Sequence, residues 1–247
     1  LSSSCLTWFQ SYLTGRLQRV RCNKVLSDAQ PVTTGVPEGS IFGPQMFCIY
    51  VNSLLNLLPA ESCVAYADDI TLVGKGKTMA DATNHLQALL DTVSSWSRVN
   101  GLTLNVKKCN AMYISSNRKG KTEALLPVFI NGQALTIVDS VKILGVIISS
   151  NLTWAEHADT VRSKMNSRLG VLRRMSNVLN AKCRRQLVSA FVMPHLRYCL
   201  PVWGHGSVTC QKAFDRTLLR CVRFIYNSNA HKFSPEVFDS TFICSFL

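Results

Sequence analysis

Acidic residues are scarce in these 247 residues: 14 Asp and Glu stand against 27 Lys and Arg, for a formal net charge of +13 at pH 7. A chain this basic meets polyanions, nucleic acid first and an anionic membrane surface second. Long unbroken apolar runs are also lacking. Residues 39–60 carry no charge, but Pro44, Gln45, Asn52, Ser53, Asn56 and Pro59 interrupt them, so the stretch reads as a buried helix rather than a membrane span. No CxxC pair occurs. The 10 cysteines are scattered, unlike a disulfide framework, so reduced thiols in the nucleus or cytoplasm are expected. Gly74-Lys75-Gly76-Lys77 lacks the GxxxxGK[ST] spacing of a phosphate-binding loop. There is no internal repeat, low-complexity tract, signal peptide or initiator Met, and the opening LSSSCLTWFQ reads as cut from a longer chain.

What is present suffices for a core: 47% of the residues are hydrophobic and 17% charged. Residues 6–15 read as the end of a helix stopped by Gly15, followed by an edge strand over RLQRVRC. Gly35, Pro37, Gly39, Gly43 and Pro44 mark a specialised turn before a helix from about 45 to 58. CVAYADDITLVG reads as a β-hairpin with Asp68 and Asp69 near its tip. Leu86, Leu89, Leu90, Val93 and Trp96 give residues 79–99 a helical apolar face, closed by Asn100-Gly101. Asn131-Gly132 signals a second hairpin, and VKILGVIIS one further strand. From Trp154 the pattern turns helical, with Val161, Met165, Leu169, Leu172 and Met175 expected on one face, and further helices over about 181–193 and 208–226. The fold class is therefore α+β, with a boundary near 150 between a mixed part (1–150) and a helical part (151–247).

Charge follows the same division. Residues 151–247 hold 14 basic and 5 acidic side chains, and residues 161–200 hold nine basic residues and no acid. Such a run is either a solvated helical face or a surface that tracks phosphates.

Asp68-Asp69 carries the chemistry. Two adjacent carboxylates at an apolar hairpin tip repel each other, and a divalent cation would relieve that. Mg²⁺ takes one or two carboxylates plus substrate phosphates, the arrangement of two-metal nucleotidyl transfer. Successive strand residues face opposite sides, so one of the two points directly into such a site.

Four segments in order, VPEGSIFGP (36–44), YADD (66–69), LTLNVKK (102–108) and KILGVII (142–148), resemble the reverse transcriptases of non-LTR, LINE-type retrotransposons. The likeness starts at WFQSYLTGRLQRV and runs through SAFVMPHLRYCLPVWG (189–204). It implies a right-hand polymerase fold: an incomplete palm holding motifs B to E, then a helical thumb. It also implies RNA-templated DNA synthesis on an RNA template and DNA primer with deoxynucleotides and Mg²⁺. By the resemblance, Asp68 is the metal-binding carboxylate of motif C and Asp69 its neighbour. Tyr66 and Ala67 sit beside the primer end. Pro37, Gly39 and Ser40 form the motif B loop near nucleotide and template. Lys108 is the motif D lysine that assists the pyrophosphate leaving group. Leu144, Gly145 and Val146 form the motif E primer grip, and Arg162, Lys164, Arg168, Arg173, Arg174, Lys182, Arg184 and Arg185 hold nucleic-acid backbone.

Two departures stand out. Motif A, which supplies the first catalytic aspartate, has no counterpart here, so the two-metal site is incomplete and negligible polymerase activity is expected of these residues alone. Glu38 replaces the usual glutamine of VPQGS, and Ser53 the usual acid after the motif B helix. A carboxylate there repels a triphosphate unless it is turned away and bonded locally. The rival readings are a non-catalytic nucleic-acid-binding remnant and an intron-encoded maturase, which shares the polymerase plan.

Overall fold

A computed structural model describes residues 2–115, 126–205 and 208–226, except the side chains of 208–210 and 213. The helices are α1 (Ser3–Leu13), α2 (Gly43–Leu55), α3 (Met79–Val99), α4 (Ala155–Arg173), α5 (Ala181–Phe191), α6 (Met193–Arg197), α7 (Leu200–Trp203) and α8 (Val208–Tyr226). The strands are β1 (Arg16–Gln18), β2 (Arg21–Cys22), β3 (Val25–Leu26), β4 (Gln30–Val32), β5 (Cys63–Tyr66), β6 (Asp69–Leu72), β7 (Asn110–Ala111), β8 (Phe129–Ile130), β9 (Gln133–Ala134), β10 (Thr136–Ile137), β11 (Ser140–Ile143) and β12 (Val146–Ser149). They pair two by two: β1–β4, β2–β3, β5–β6, β8–β9 and β11–β12 antiparallel, β7–β10 parallel.

The chain divides into two compact units, Leu1–Val106 with Leu125–Ala134, and Lys107–Ala124 with Leu135–Leu247. The division is not the boundary at 150 that composition suggests, and local bonds explain why. Gln87 on α3 exchanges two 2.9 Å bonds with the backbone of Phe129, which ties the β8–β9 hairpin to the first unit. The β11–β12 hairpin is bonded to α4 instead: Ile147 N–H donates to His157 Nδ1 at 3.2 Å, and Ser140 Oγ to Glu156 at 3.2 Å.

In the first unit, Val51 and Leu54 of α2, Leu58 just beyond it, and Leu89, Val93 and Trp96 of α3 are buried in one cluster. Cys63, Ile70 and Leu72 of the β5–β6 hairpin pack on that core. α3 begins at a reciprocal cap between Thr78 and Asp81, which satisfies two otherwise orphaned N–H groups. Trp96 donates its indole N–H to Ser53 Oγ at 3.0 Å, a part-buried bond that ties α3 to α2. Leu54 is 1% exposed, and its truncation to Ala would cost about 2–5 kcal/mol.

In the second unit, Val161, Met165, Leu169 and Leu172 of α4 pack with Val188, Val192, Trp203, Phe214, Cys221 and Ile225. Met175 does not join them. It lies past the end of α4 and is exposed. VKILGVIIS is a hairpin rather than a single strand, with Leu144-Gly145 as its two-residue turn.

Candidate functional site

The β5–β6 hairpin presents the two carboxylates. Its register pairs Cys63 with Leu72, Val64 with Thr71, Ala65 with Ile70 and Tyr66 with Asp69. Cross-strand pairs share a face, so Cys63, Ile70 and Leu72 turn to the core while Val64, Tyr66 and Asp69 turn away from it. Ala67 and Asp68 form the turn, with Ala67 at φ +53°, a left-handed conformation that costs a non-glycine residue about 1–2 kcal/mol. Asp68 and Asp69 are both exposed, and their carboxylates have no hydrogen bond or ion pair to any described residue. Two adjacent unpaired carboxylates are the donor set that Mg²⁺ shares with substrate phosphates and water. They fit a divalent cation of that kind. Among the described residues no third His, Cys, Asp or Glu joins them.

The loop before α2 is built from its own side chains. Ser40 Oγ donates to Pro37 O at 2.8 Å and accepts from Tyr12 OH at 2.6 Å and from Gly43 N–H at 3.0 Å. A hydroxyl has one proton and two lone pairs, so this one is saturated and shapes the loop rather than meeting a ligand. Gly39 sits at φ +73° with no heavy atom within 4 Å of where a Cβ would be, which leaves its backbone approachable. Two residues that sequence reading passed over brace the loop. Tyr12 stacks on Trp8, and Arg16 donates to Thr34 O at 3.1 Å and Gly35 O at 2.6 Å. Glu38 is exposed and has no partner among the described residues, so it is not neutralised by a local hydrogen bond.

Lys108 belongs to the second unit, where it is exposed at the end of a short 3₁₀ turn, Val106–Lys108. In the same unit, Leu144 at φ +46° and Gly145 at φ +87° form the β11–β12 turn, with Val146 buried beneath it. Tyr198 donates its hydroxyl to Leu144 O at 2.6 Å, and its ring lies where it would meet a Cβ on Gly145 at 3.3 Å. Tyr198 is 54 residues away in sequence, and no local pattern marks it.

His157 supports the same hairpin. It is buried, and because Nδ1 accepts from Ile147 N–H, its proton sits on Nε2, which has no partner among the described residues. Burial, with the nearby charge of Lys164, holds its pKa below the usual histidine value. His195 is lowered by burial and by Lys164 and Arg168.

The basic residues do not form one face. Lys164 and Arg168 are exposed beside His195 of α6. Arg162 pairs with Asp159 at 2.9 Å, and its turn of α4 is tied to α8 through Asn166, which receives Arg220 at 3.0 Å. Arg173, Arg174, Lys182 and Arg185 are exposed. Arg184 is a correction. Only 8% exposed, it donates to Ser176 O at 2.8 Å and to Phe224 O and Ile225 O at 3.2 and 3.4 Å, and lies over the Phe224 ring. It closes the carbonyl end of α8 and is not available to a phosphate.

The family profile described as "Reverse transcriptase (RNA-dependent DNA polymerase)" matches residues 2–148, more than half of the chain, including the loop before α2, the β5–β6 hairpin and all but the last residue of the β11–β12 hairpin. The chain belongs to the reverse transcriptase family. Its relatives are proteins of mobile elements. It is 23% identical over 237 residues to "Probable RNA-directed DNA polymerase from transposon X-element" of Drosophila melanogaster, covering 90% of this chain and 26% of that protein. To the "RNA-directed DNA polymerase from mobile element jockey" of the same species it is 26% identical over 208 residues, 79% of this chain and 22% of the relative. To the "Retrovirus-related Pol polyprotein from type-1 retrotransposable element R1" of Nasonia vitripennis it is 28% identical over 179 residues, 70% of this chain and 53% of the relative. These are reverse transcriptases of the non-LTR type to which the motifs pointed. The chain spans about a quarter of the length of the first two relatives. No described helix of the chain is long and apolar enough to cross a membrane.

Proposed function

We propose that these residues form the rear part of a polymerase that adds deoxynucleotides to a DNA primer on an RNA template, within an intracellular, reducing compartment. The observation that carries the reading is the hairpin tip, where the carboxylates of Asp68 and Asp69 stand exposed, with no partner among the described residues, at the end of a strand pair anchored to the α2–α3 core. Mg²⁺ held there would neutralise the phosphates of an incoming nucleotide and support attack by the primer hydroxyl. In this reading residues 1–150 are the palm portion, with motifs B to E, and residues 151–247 the thumb and connector. In this reading Asp68 is the direct ligand, Asp69 shares the outer face with Tyr66, and the open backbone at Gly39 borders the nucleotide. Lys108 supplies a proton or positive charge to the leaving pyrophosphate. The Leu144–Gly145 turn supports the primer strand, and Lys164 and Arg168 hold duplex backbone.

Nucleotidyl transfer through two metal ions needs a further carboxylate strand. These 247 residues are therefore inactive alone. The reading is tested by Fe²⁺-mediated backbone cleavage of the 247-residue chain in the presence of a deoxynucleoside triphosphate. Cuts confined to residues near 66–70, suppressed by Mg²⁺ and lost in Asp68→Asn, support it. Cuts elsewhere, or cuts indifferent to Asp68, contradict it.

A further inference from the structure

Helix α8 carries charge that the resemblance does not use. Lys212, Arg216, Arg220 and Arg223 are all exposed. Steps of four, four and three residues bring them onto one stripe of an α-helix. Phe214, Thr217, Cys221, Val222, Phe224 and Ile225 fill the opposite side and are buried. Neighbouring like charges at these spacings repel, which disfavours the helix that carries them. Asp215, the one acid of the helix, stands exposed three residues after Lys212 and offsets only part of that repulsion. Lys212, Arg216 and Arg223 have no hydrogen bond or ion pair among the described residues, and Asp215 pairs with none of them. Arg220 is held in place by its 3.0 Å bond to Asn166 of α4. The stripe runs about 16 Å along a straight helix axis, and Tyr226 is exposed at its far end.

We propose that this stripe is a second nucleic-acid surface, one that binds the backbone of a single strand. A row of four cations, none of them in an ion pair among the described residues, fits successive phosphates. The exposed aromatic at the end of the row decides between strand forms, because an unpaired base has a free face to lay against it and a base inside a duplex does not. Cations with an exposed aromatic are also the usual makings of single-strand sites. The stripe is distinct from Lys164 and Arg168, which lie beside α6. The inference does not rest on the chemistry of the Asp68 hairpin, because binding is read without metal or nucleotide.

The test is fluorescence anisotropy of the 247-residue chain in EDTA with labelled dT20, with a 20-base-pair duplex, and with vesicles containing phosphatidylserine, each across a salt series. The Lys212→Ala/Arg216→Ala/Arg223→Ala variant should bind dT20 more weakly and reduce the slope of log affinity against log salt by about 2, from three lost contacts at ~0.7 each. Lys75→Ala/Lys77→Ala/Lys107→Ala, which removes as much charge elsewhere, should leave that slope nearly unchanged. Should the triple variant fail to fold, Arg216→Gln/Arg223→Gln is read the same way, with a reduction of roughly 1.4. An unchanged slope, an equal change in the control, or a loss confined to duplex or to vesicles overturns the proposal.

Discussion

Tyr198 donates its hydroxyl to the carbonyl of Leu144 at 2.6 Å, so a residue of the helical region holds the tip of a β-hairpin 54 residues earlier. The bond locks a turn that already needs two left-handed residues, Leu144 and Gly145. Tyr198→Phe removes the bond and keeps the ring, and should lower stability by about 1 kcal/mol in urea unfolding. Gly145→Ala adds strain at φ +87° and presses on the Tyr198 ring, and should cost roughly 1–2 kcal/mol. The two sites touch, so the double variant should lose less than the sum of the two losses.

His157 should make stability depend on pH. Its folded pKa is lowered from 6.5, by burial first and the charge of Lys164 second, and protonation would also break the bond from Ile147 N–H. A depressed folded value means that the unfolded chain takes up the proton more readily. The contribution is therefore complete above pH 6.5 and is lost as pH falls through the folded value. Thermal unfolding from pH 8 to pH 5 should show Tm dropping below pH 6.5. His157→Asn, whose Oδ1 can still accept from a backbone N–H, should show a shallower drop. His195, also lowered, keeps the remaining slope from vanishing.

Arg184 and the pair Lys164/Arg168 should separate stability from binding. Arg184→Ala leaves three carbonyls and a buried helix end without their donor, and should cost roughly 3 kcal/mol while leaving the salt slope for duplex binding unchanged. Lys164→Ala/Arg168→Ala should do the reverse, with little change in unfolding and a slope reduced by about 1.8. Denaturation and salt-dependent duplex binding of the two variants check both.

Glu38 is exposed and pairs with no described residue, so a carboxyl side chain stands free on the loop. In a polypeptide of the relatives' length that contains these residues, Glu38→Gln should lower KM for the deoxynucleotide several-fold with little effect on kcat. Steady-state incorporation kinetics measure this directly.

The sequence made the hairpin at 63–72 legible because apolar residues alternate on both sides of one short polar tip. Residues 79–99 were legible because their apolar positions recur at three- and four-residue steps and Gly101 follows. The β11–β12 turn was harder. It is flanked by apolar residues on both sides, and Leu144, a poor candidate for a left-handed position, fills half of it. Arg184 was misread because charge was counted without helical register. It lies one turn before Val188, which is fully buried, and so faces the same interior. Tyr198 and Tyr12 were missed because their partners are distant in sequence, and contacts of that kind follow from packing rather than from any local signal. The division into units followed bonds from Gln87 and His157, not the change in composition at 150.

The most direct measurement is primer extension on an RNA template by a polypeptide of the relatives' length carrying these residues, compared with its Asp68→Asn form in Mg²⁺. The account predicts that the variant binds template and primer as before and loses at least about a hundredfold in rate, roughly 2.7 kcal/mol of transition-state stabilisation. Equal rates in the two proteins, or robust extension by the 247 residues alone, would contradict it.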